Sequence, residues 1–367
     1  MRFLMLNWRD PSNPKSGGAE RVTLAYFAAL KERGHDVYWF ANAYAGCARE
    51  EIIQGVNIVR GGGQGSSVLE AIRWYRRQER FDLVVDQHHG IPWFAPWWCG
   101  TNCISYLHEV LGPIWGAFYS WPVSMFGQWQ ERAMHWLYRN VPFWTGSEST
   151  QRALLQRGVK NVTVIHYGID LLPLAQLESK PLRQPVQLIT VSRLAPNKRI
   201  DHAILALKVL LQRGIAAHLT IVGRGETEEQ LRELASQPDL VGHVRFRGAI
   251  SEQEKDAELR RAHLLIHTSI REGWGLNVLE ANAMGTPAVV YPVDGLVDAT
   301  LHEQTGLVTT QETPESVAEA VASLLQRPET YQEFRVKARD RTMAFHWDQI
   351  LPPACDWLEQ QASKPKR

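Results

Sequence analysis

The chain holds only four cysteines in 367 residues: Cys47, Cys99, Cys103 and Cys355. Only Cys99 and Cys103 lie close in sequence, and no second pair completes a zinc site. Reduced thiols in a cytoplasmic protein are therefore expected. Charge of either sign is not in excess. Lys plus Arg number 40, Asp plus Glu 39, and the formal net charge is +1. Without a basic field, nucleic acid is not expected as a main partner. No uninterrupted apolar run reaches the roughly 18 residues a spanning helix needs. The opening MRFLMLNWRD carries a short apolar run that ends in charge. It is too short for a signal peptide and reads as a first strand. Short-period repeats and low-complexity segments are missing. So is any Asp-x-Asp pair.

Hydrophobic residues make up 44% of the chain, enough for a sizeable core, and the length suits about two domains. Apolar strand-like runs alternate with segments of helical period. The first half offers Phe3–Leu6, Val37–Ala41, Leu83–Asp86, Cys103–Leu107, Phe143–Thr145 and Val162–Ile165. The second half offers Val186–Val191, His218–Val222, Val244–Arg247, Leu264–His267 and Pro287–Tyr291. Between them, residues 19–33 put Val22, Ala25, Tyr26, Ala29 and Leu30 on one helical face and stop at Gly34. Residues 201–213 do the same and stop at Gly214. This alternation predicts parallel sheets with helices on both faces. The stretch ESKPLRQP has prolines, charges and no period, and reads as a linker. The expected division is a first domain over 1–176, a linker over 177–186, a second domain over 187–340, and a tail over 341–367 that crosses back to the first domain.

The chemistry-bearing residues follow strands. Gly17 and Gly18 come after the first, DQHHG (86–90) closes another, and His108 ends a third. In the second half, Arg193, the Gly223-Arg224-Gly225 turn, Gly248 and Glu272 do likewise. Ligands of open parallel sheets sit outside the carboxyl ends of strands, so two facing crevices would make one cleft. The most informative stretch is EGWGLNVLE, Glu272 to Glu280. Two carboxylates eight residues apart bracket a glycine turn that opens a helix. Amides at a helix start bind phosphate, and carboxylates accept hydrogen bonds from sugar hydroxyls. One stretch thus offers groups for both halves of a nucleotide-sugar.

PKSGGAERVTLAYFAALKERGHDV, SRLAPNKRID, IVGRGE and EGWGLNVLEANAMGTPAVV, in this order and spacing, resemble the retaining glycosyltransferases of family GT4. The resemblance covers nearly the whole chain. It implies the GT-B fold, an α/β architecture of two Rossmann-like doubly wound domains facing across a cleft. It also implies transfer of a sugar from a nucleotide-sugar to an acceptor hydroxyl with retained anomeric configuration. The first domain would take the acceptor and the second the donor.

Carried over residue by residue, the resemblance gives Arg193 and Lys198 the departing diphosphate. Two cations there stabilise the charge that builds as the sugar leaves. Glu272 would touch the transferred sugar and Glu280 the ribose hydroxyls. Gly273, Trp274, Gly275 and Leu276 complete that turn, with Trp274 either shaping the sugar pocket or packing. Gly17 and Gly18 would lie opposite the diphosphate, and His108 would contact the donor sugar. Gly223, Gly225, Gly248 and Ile250 resemble the base-binding edge. His88, His89 and Trp93 are acceptor candidates, although DQHHG also suits a plain strand end. His108, Glu272, Arg193 and Lys198 form the expected catalytic set. No cofactor and no metal is expected, since the two cations and helix dipoles carry the charge. The other readings are a GT-B nucleotide-sugar epimerase or phosphorylase, and a nucleotide-sugar-binding protein without activity.

Eight of the 14 tryptophans fall between Trp93 and Trp144. Pro122, Met125, Phe126, Trp129, Ala133, Trp136 and Leu137 recur at helical spacing. A second helix over 68–80 puts Arg73, Arg76, Arg77 and Arg80 on one face. Aromatic helices and arginine stripes suit an anionic membrane surface, and with it a lipid-linked acceptor on the cytoplasmic side. Core packing beside a solvated arginine face accounts for the same pattern. Stacking on a carbohydrate acceptor is a third reading.

Overall fold

A computed structural model describes residues 1–63, 65–88 and 90–365 of the chain. They divide into two compact units. The first takes residues 1–111, 126–168 and the segment from Trp347 on; the second takes 112–125 and 169–346. The stretch 177–186 therefore falls inside the span of the second unit, which starts earlier than the proline-rich segment suggests.

Strands of the first unit are β1 (Arg2–Leu6), β2 (Asp36–Ala41), β3 (Glu50–Ile53), β4 (Val56–Arg60), β5 (Leu83–His88), β6 (Asn102–Leu107), β7 (Phe143–Thr145) and β8 (Val162–Val164). They form one sheet in the order β3-β4-β2-β1-β5-β6-β7-β8. Leu4 of β1 sits between Tyr38 of β2 and Val84 of β5 in parallel register. All neighbours are parallel except β3 and β4, which run antiparallel. Gln54 and Gly55 close that hairpin with φ of 49° and 79°. Two left-handed residues in a two-residue loop are the geometry that matches strand twist. This hairpin makes the sheet mixed where an all-parallel one was expected.

Among the described residues, five helices precede β9: α1 (Gly18–Glu32), α2 (Ser67–Tyr75), α3 (Ile114–Phe118), α4 (Val123–Leu137) and α5 (Glu148–Gln156). α1 buries Val22, Tyr26, Phe27 and Leu30 and ends before Gly34, whose φ of 84° breaks the helix. Burial of each such large side chain contributes about 1.5–3 kcal/mol. α2 is shorter than its period suggested. It stops at Tyr75, so Arg76, Arg77 and Arg80 lie beyond the helix and do not continue a stripe from Arg73.

The second unit has β9 (Val186–Val191), β10 (Ala217–Val222), β11 (Val244–Gly248), β12 (Leu264–His267), β13 (Ala288–Val290) and β14 (Gly306–Val308). Their order is β11-β10-β9-β12-β13-β14, with parallel pairing throughout. Helices α6 (Ile200–Gln212), α7 (Glu228–Ala235), α8 (Glu252–Arg261), α9 (Leu276–Ala283), α10 (Leu296–Ala299), α11 (Pro314–Leu325) and α12 (Pro328–Thr342) connect these strands or follow them. α13 (Trp347–Ala362) returns to the first unit, where Trp347 meets the ring of Tyr26 edge-on at 5.4 Å. Among the described residues no helix is long and apolar enough to cross a membrane. All four cysteines are free thiols.

Strand order locates the crevices. In the second sheet the chain leaves β9 toward β10 and β11 on one side, while β12 to β14 lie on the other. The loops after β9 and β12 therefore diverge at a switch point, where ligands of such sheets bind. In the first sheet the corresponding point lies between β1 and β5.

Candidate functional site

The loops after β9 and β12 bring Lys198 and Glu272 together. Lys198 Nζ lies 2.5 Å from Glu272 Oε1. The same oxygen accepts a hydrogen bond from Ser269 Oγ at 2.6 Å and is 3.5 Å from His267 Nε2. Burial alone would push the Glu272 carboxyl up, but Lys198, His267 and Ser269 outweigh it and hold it below the ordinary value. Burial pushes His267 down to about 4, so its ring is neutral at pH 7. The pair is one carboxylate and one ammonium, each about four-fifths out of solvent.

Close backbone approaches build the loop that carries Glu272. Gly295 has a φ of 80°, and a Cβ there would sit 2.2 Å from the Glu272 carbonyl oxygen. Glu272 N–H donates to the Asp294 carbonyl at 3.1 Å, and Arg271 pairs with the Asp294 carboxylate. Gly275 caps α9 in a left-handed conformation, φ 88°, and Leu276 opens the helix half-buried. Asn277 then donates to the Val191 carbonyl at 2.7 Å and ties the first turn of α9 to the end of β9. Gly273 is half-exposed between these fixed points.

Three neighbouring post-strand loops are sewn together beside this pair. Leu194 N–H donates to the Arg224 carbonyl at 2.9 Å, and Gly223 N–H to the Gly248 carbonyl at 2.9 Å. Gly223 has a φ of 130°, and a Cβ there would meet the Ser192 carbonyl oxygen at 1.9 Å. Gly225 approaches the Leu194 carbonyl almost as closely. Ile250 follows Gly248 half-buried. Arg193 projects from the first of these loops, 56% exposed, with the Glu226 carboxylate 4.0 Å away.

Glu280 is buried in α9, and Lys255 of α8 holds its carboxylate at 2.9 Å. Lys255 also reaches Glu252 at 2.6 Å. Sequence reasoning missed Lys255. Its only signal was a position early in a helix that a Ser251–Glu254 capping box opens. Trp274, expected to shape a sugar pocket or pack, packs. It is 2% exposed and its ring lies 5.4 Å from that of Phe345. A side chain so fully enclosed offers a ligand no face, which corrects its place among donor contacts.

In the first unit, Gly17 caps α1, and its N–H donates to the Glu20 carboxylate at 2.7 Å. Gly17 and Gly18 are both exposed. His108, at the end of β6, accepts or donates at Nδ1 to the Tyr167 hydroxyl at 2.6 Å. His88 ends β5 and is buried, with Nε2 3.3 Å from Ser105 Oγ and its ring edge-on to Tyr138 at 4.5 Å. Burial, with His135 nearby, pushes its pKa well down. His88, His108, Glu109, Glu131 and His135 line one small cavity. The structure thus joins an acceptor candidate to a donor-sugar candidate. It adds Glu109, Glu131 and His135, which the sequence left unmarked. Trp93 is a core residue, fully buried and stacked on Trp8 at 4.5 Å, and this corrects its reading as an acceptor contact. His89 lies outside the described residues.

The aromatic middle divides between core and surface. Trp93 and Trp144 are fully buried, whereas Trp97, Trp121, Trp129 and Trp136 are exposed.

Comparison with known proteins places the chain among glycosyltransferases. A family model described as Glycosyltransferase Family 4 matches residues 16–171. One described as Glycosyl transferases group 1 matches residues 176–341. A glycogen synthase of Mycobacterium tuberculosis is 26% identical over 387 aligned residues, covering 95% of this chain and 92% of its own. A GDP-mannose-dependent alpha-(1-6)-phosphatidylinositol monomannoside mannosyltransferase of the same species is 31% identical over 178 residues, 46% of each chain. The crystal structure of Anabaena HepE in complex with UDP-glucose superposes with a TM-score of 0.75 at 18% identity. That alignment covers 98% of this chain and 100% of HepE.

Proposed function

The chain belongs to glycosyltransferase family 4, with the GT-B fold and transfer from a nucleotide-sugar, and from that premise we propose a retaining, metal-independent enzyme acting on a lipid-linked or cell-surface glycan. The observation that carries this reading is the Lys198–Glu272 pair at the switch point of the second sheet. A diphosphate bound there would meet the Lys198 ammonium, the exposed Arg193 guanidinium and the first amides of α9. Each charge-assisted bond contributes about 1.5–3 kcal/mol. Their effect is largest when the sugar departs and the phosphate gains negative charge.

Glu272 is held ionised beside that position, where its remaining acceptor capacity suits hydroxyls of the transferred sugar. Glu280, fixed by Lys255, suits the two ribose hydroxyls, and the loops at Gly223, Gly225, Gly248 and Ile250 suit the edge of the base. In the transfer itself, the bond from the anomeric carbon to the phosphate oxygen breaks. The acceptor oxygen bonds the same carbon from the same face. The acceptor proton passes to the departing phosphate oxygen. No protein nucleophile enters this sequence, and Arg193 and Lys198 take the charge that a divalent ion would otherwise offset.

The names of the relatives support a nucleotide-sugar donor without choosing its base: GDP-mannose in one case, UDP-glucose in another. An acceptor on a lipid fits the exposed aromatic rings of α4, and with it a peripheral place on the cytoplasmic face of a membrane.

A thermal-shift screen of UDP-, GDP- and ADP-sugars identifies the donor, because a ligand that binds only the native state raises its melting point. Proton NMR of the first product bond then tests the mechanism. Retained configuration in the presence of EDTA is expected. An inverted anomer defeats the front-face sequence. Activity that EDTA abolishes and manganese restores defeats metal independence.

A further inference from the structure

α4 is built inside out. Two of its polar residues face the protein: Glu131 and His135 are buried, and Glu131 accepts a hydrogen bond from Leu111 N–H at 2.6 Å. Arg157 ties both from below, 3.1 Å from the Glu131 carboxylate and 3.1 Å from His135 Nδ1. The apolar side chains face out. Phe126 is 64% exposed, Trp129 64%, Trp136 61% and Leu137 37%. A surface helix ordinarily turns its apolar stripe to the core. Here ionic bonds fix the opposite roll, and a contiguous aromatic face is left on the outside.

We infer that this outward face of α4 is a docking surface for an anionic lipid bilayer, with the helix lying flat at the headgroup level. The inference deepens the lipid-linked acceptor reading and rests on it for the identity of the acceptor only. Charge decides the occupant. The one acid of α4, Glu131, points inward, so the outward face carries cations alone. Arg132 is exposed on it, and the Arg139 guanidinium lies 4.1 Å over the Trp136 ring. Indole rings and arginines together are the side chains of the membrane–water interface. A second copy meeting this face about a two-fold axis would lay arginines over a helix surface with no carboxylate to receive them. A glycan would leave Phe126 and Leu137 against hydroxyls. At about 1.5 Å per residue the helix presents a line about 22 Å long, enough for several lipid headgroups.

Flotation of the full chain with phosphatidylcholine vesicles and with phosphatidylcholine–phosphatidylglycerol vesicles tests this. The wild type is expected to float with the anionic vesicles and to release as salt rises. The double variant Trp129→Ser, Trp136→Ser is expected to partition roughly tenfold more weakly or worse. Its far-UV circular dichroism and its donor-induced thermal shift should match the wild type, since both rings are exposed and none of the residues assigned to the donor lies on α4. Should that variant not fold, Arg132→Glu replaces it, with weaker binding to the anionic vesicles expected. Absence of flotation, or equal partitioning of wild type and folded variants, overturns the docking face. So does a wild-type dimer that the variant dissociates, which would make the occupant a second copy. Transfer to lipid-linked and to soluble acceptors is measured in the same preparations. Flotation without transfer to a lipid-linked acceptor removes the acceptor reading and leaves the docking face. Transfer without flotation does the reverse.

Discussion

Lys255 Nζ lies 2.9 Å from Glu280 Oε2, and the two side chains are 10% and 9% exposed. Burial alone would lower the lysine pKa, but Glu280 and Glu252 outweigh it and the value stands raised. The ammonium thus stays charged and keeps the Glu280 carboxylate in one rotamer. Lys255→Met removes a buried cationic partner of that carboxylate, which costs about 3 kcal/mol of stability. The same variant should bind a nucleotide-sugar at least tenfold more weakly, because the carboxylate loses its fixed position. Isothermal titration and urea melts measure the two effects. Unchanged donor affinity in a folded Lys255→Met protein separates Glu280 from the donor.

Lys198→Ala should lower kcat/KM roughly 10- to 100-fold, the loss of one charge-assisted contact to the leaving group. It should also move the acid limb of the pH–rate profile upward. Glu272 is held below its ordinary value of 4.5, chiefly by Lys198 acting against burial. A carboxylate lowered on folding stabilises the native state above its unfolded pKa, and that contribution disappears as pH falls through the folded value. Removing the cation raises the folded value and narrows the window. An acid limb that stays in place in Lys198→Ala would falsify the coupling.

Acid should loosen the fold before its carboxylates are all protonated. Burial lowers His135 to about 3, His263 to about 4 and His267 to about 4, from 6.5. Between these values and 6.5 the unfolded chain binds more protons, so stability declines as pH drops, by about 1.4 kcal/mol per unit for each fully titrating histidine. Asp86 works in the opposite sense, since burial raises it to about 6. The lowered histidines, with His88 and His202 among them, outnumber the raised Asp86 and Asp256, so the net slope remains a loss. Urea midpoints near pH 7 and near pH 5 read it directly, and equal midpoints would speak against the neutral buried rings.

Gly223→Ala should be expensive where Gly116→Ala is not. A Cβ on Gly223 meets the Ser192 carbonyl oxygen at 1.9 Å, at a φ of 130°, whereas one on Gly116 meets nothing within 4 Å. A backbone carbonyl cannot rotate aside, so the loops after β9 and β10 must part. We expect a loss of about 2 kcal/mol or more and weaker donor binding for the first, and a change within about 0.5 kcal/mol for the second. Matching melting temperatures for the two variants would contradict the close approach.

Much of this arrangement is legible in the sequence. The alternation of apolar strands with helices such as α1 and α6 carries its own period, and glycines after β9, β10 and β12 announce tight turns. These are local properties, because periodicity and a positive φ are read over a few residues. The hairpin of β3 and β4 is local too, closed by the two-residue Gln54-Gly55 loop. Helical period likewise extended α2 past Tyr75, although the helix stops there.

Other features could not be read locally. The pairing of Lys255 with Glu280 joins two helices across a strand, and Lys198 with Glu272 joins two loops 74 residues apart. Trp93 and Trp129 sit in equally aromatic surroundings, yet one is core and the other surface. The stripe in α4 shows why. A period of 3.6 residues says that one side of a helix is apolar, but not which way that side turns. The sequence by itself determined the strands, the helices and the turns at which charge can gather. The tertiary structure alone decided which charges meet and which face of α4 looks outward, because only packed neighbours such as Arg157 and Leu111 set the roll of a helix.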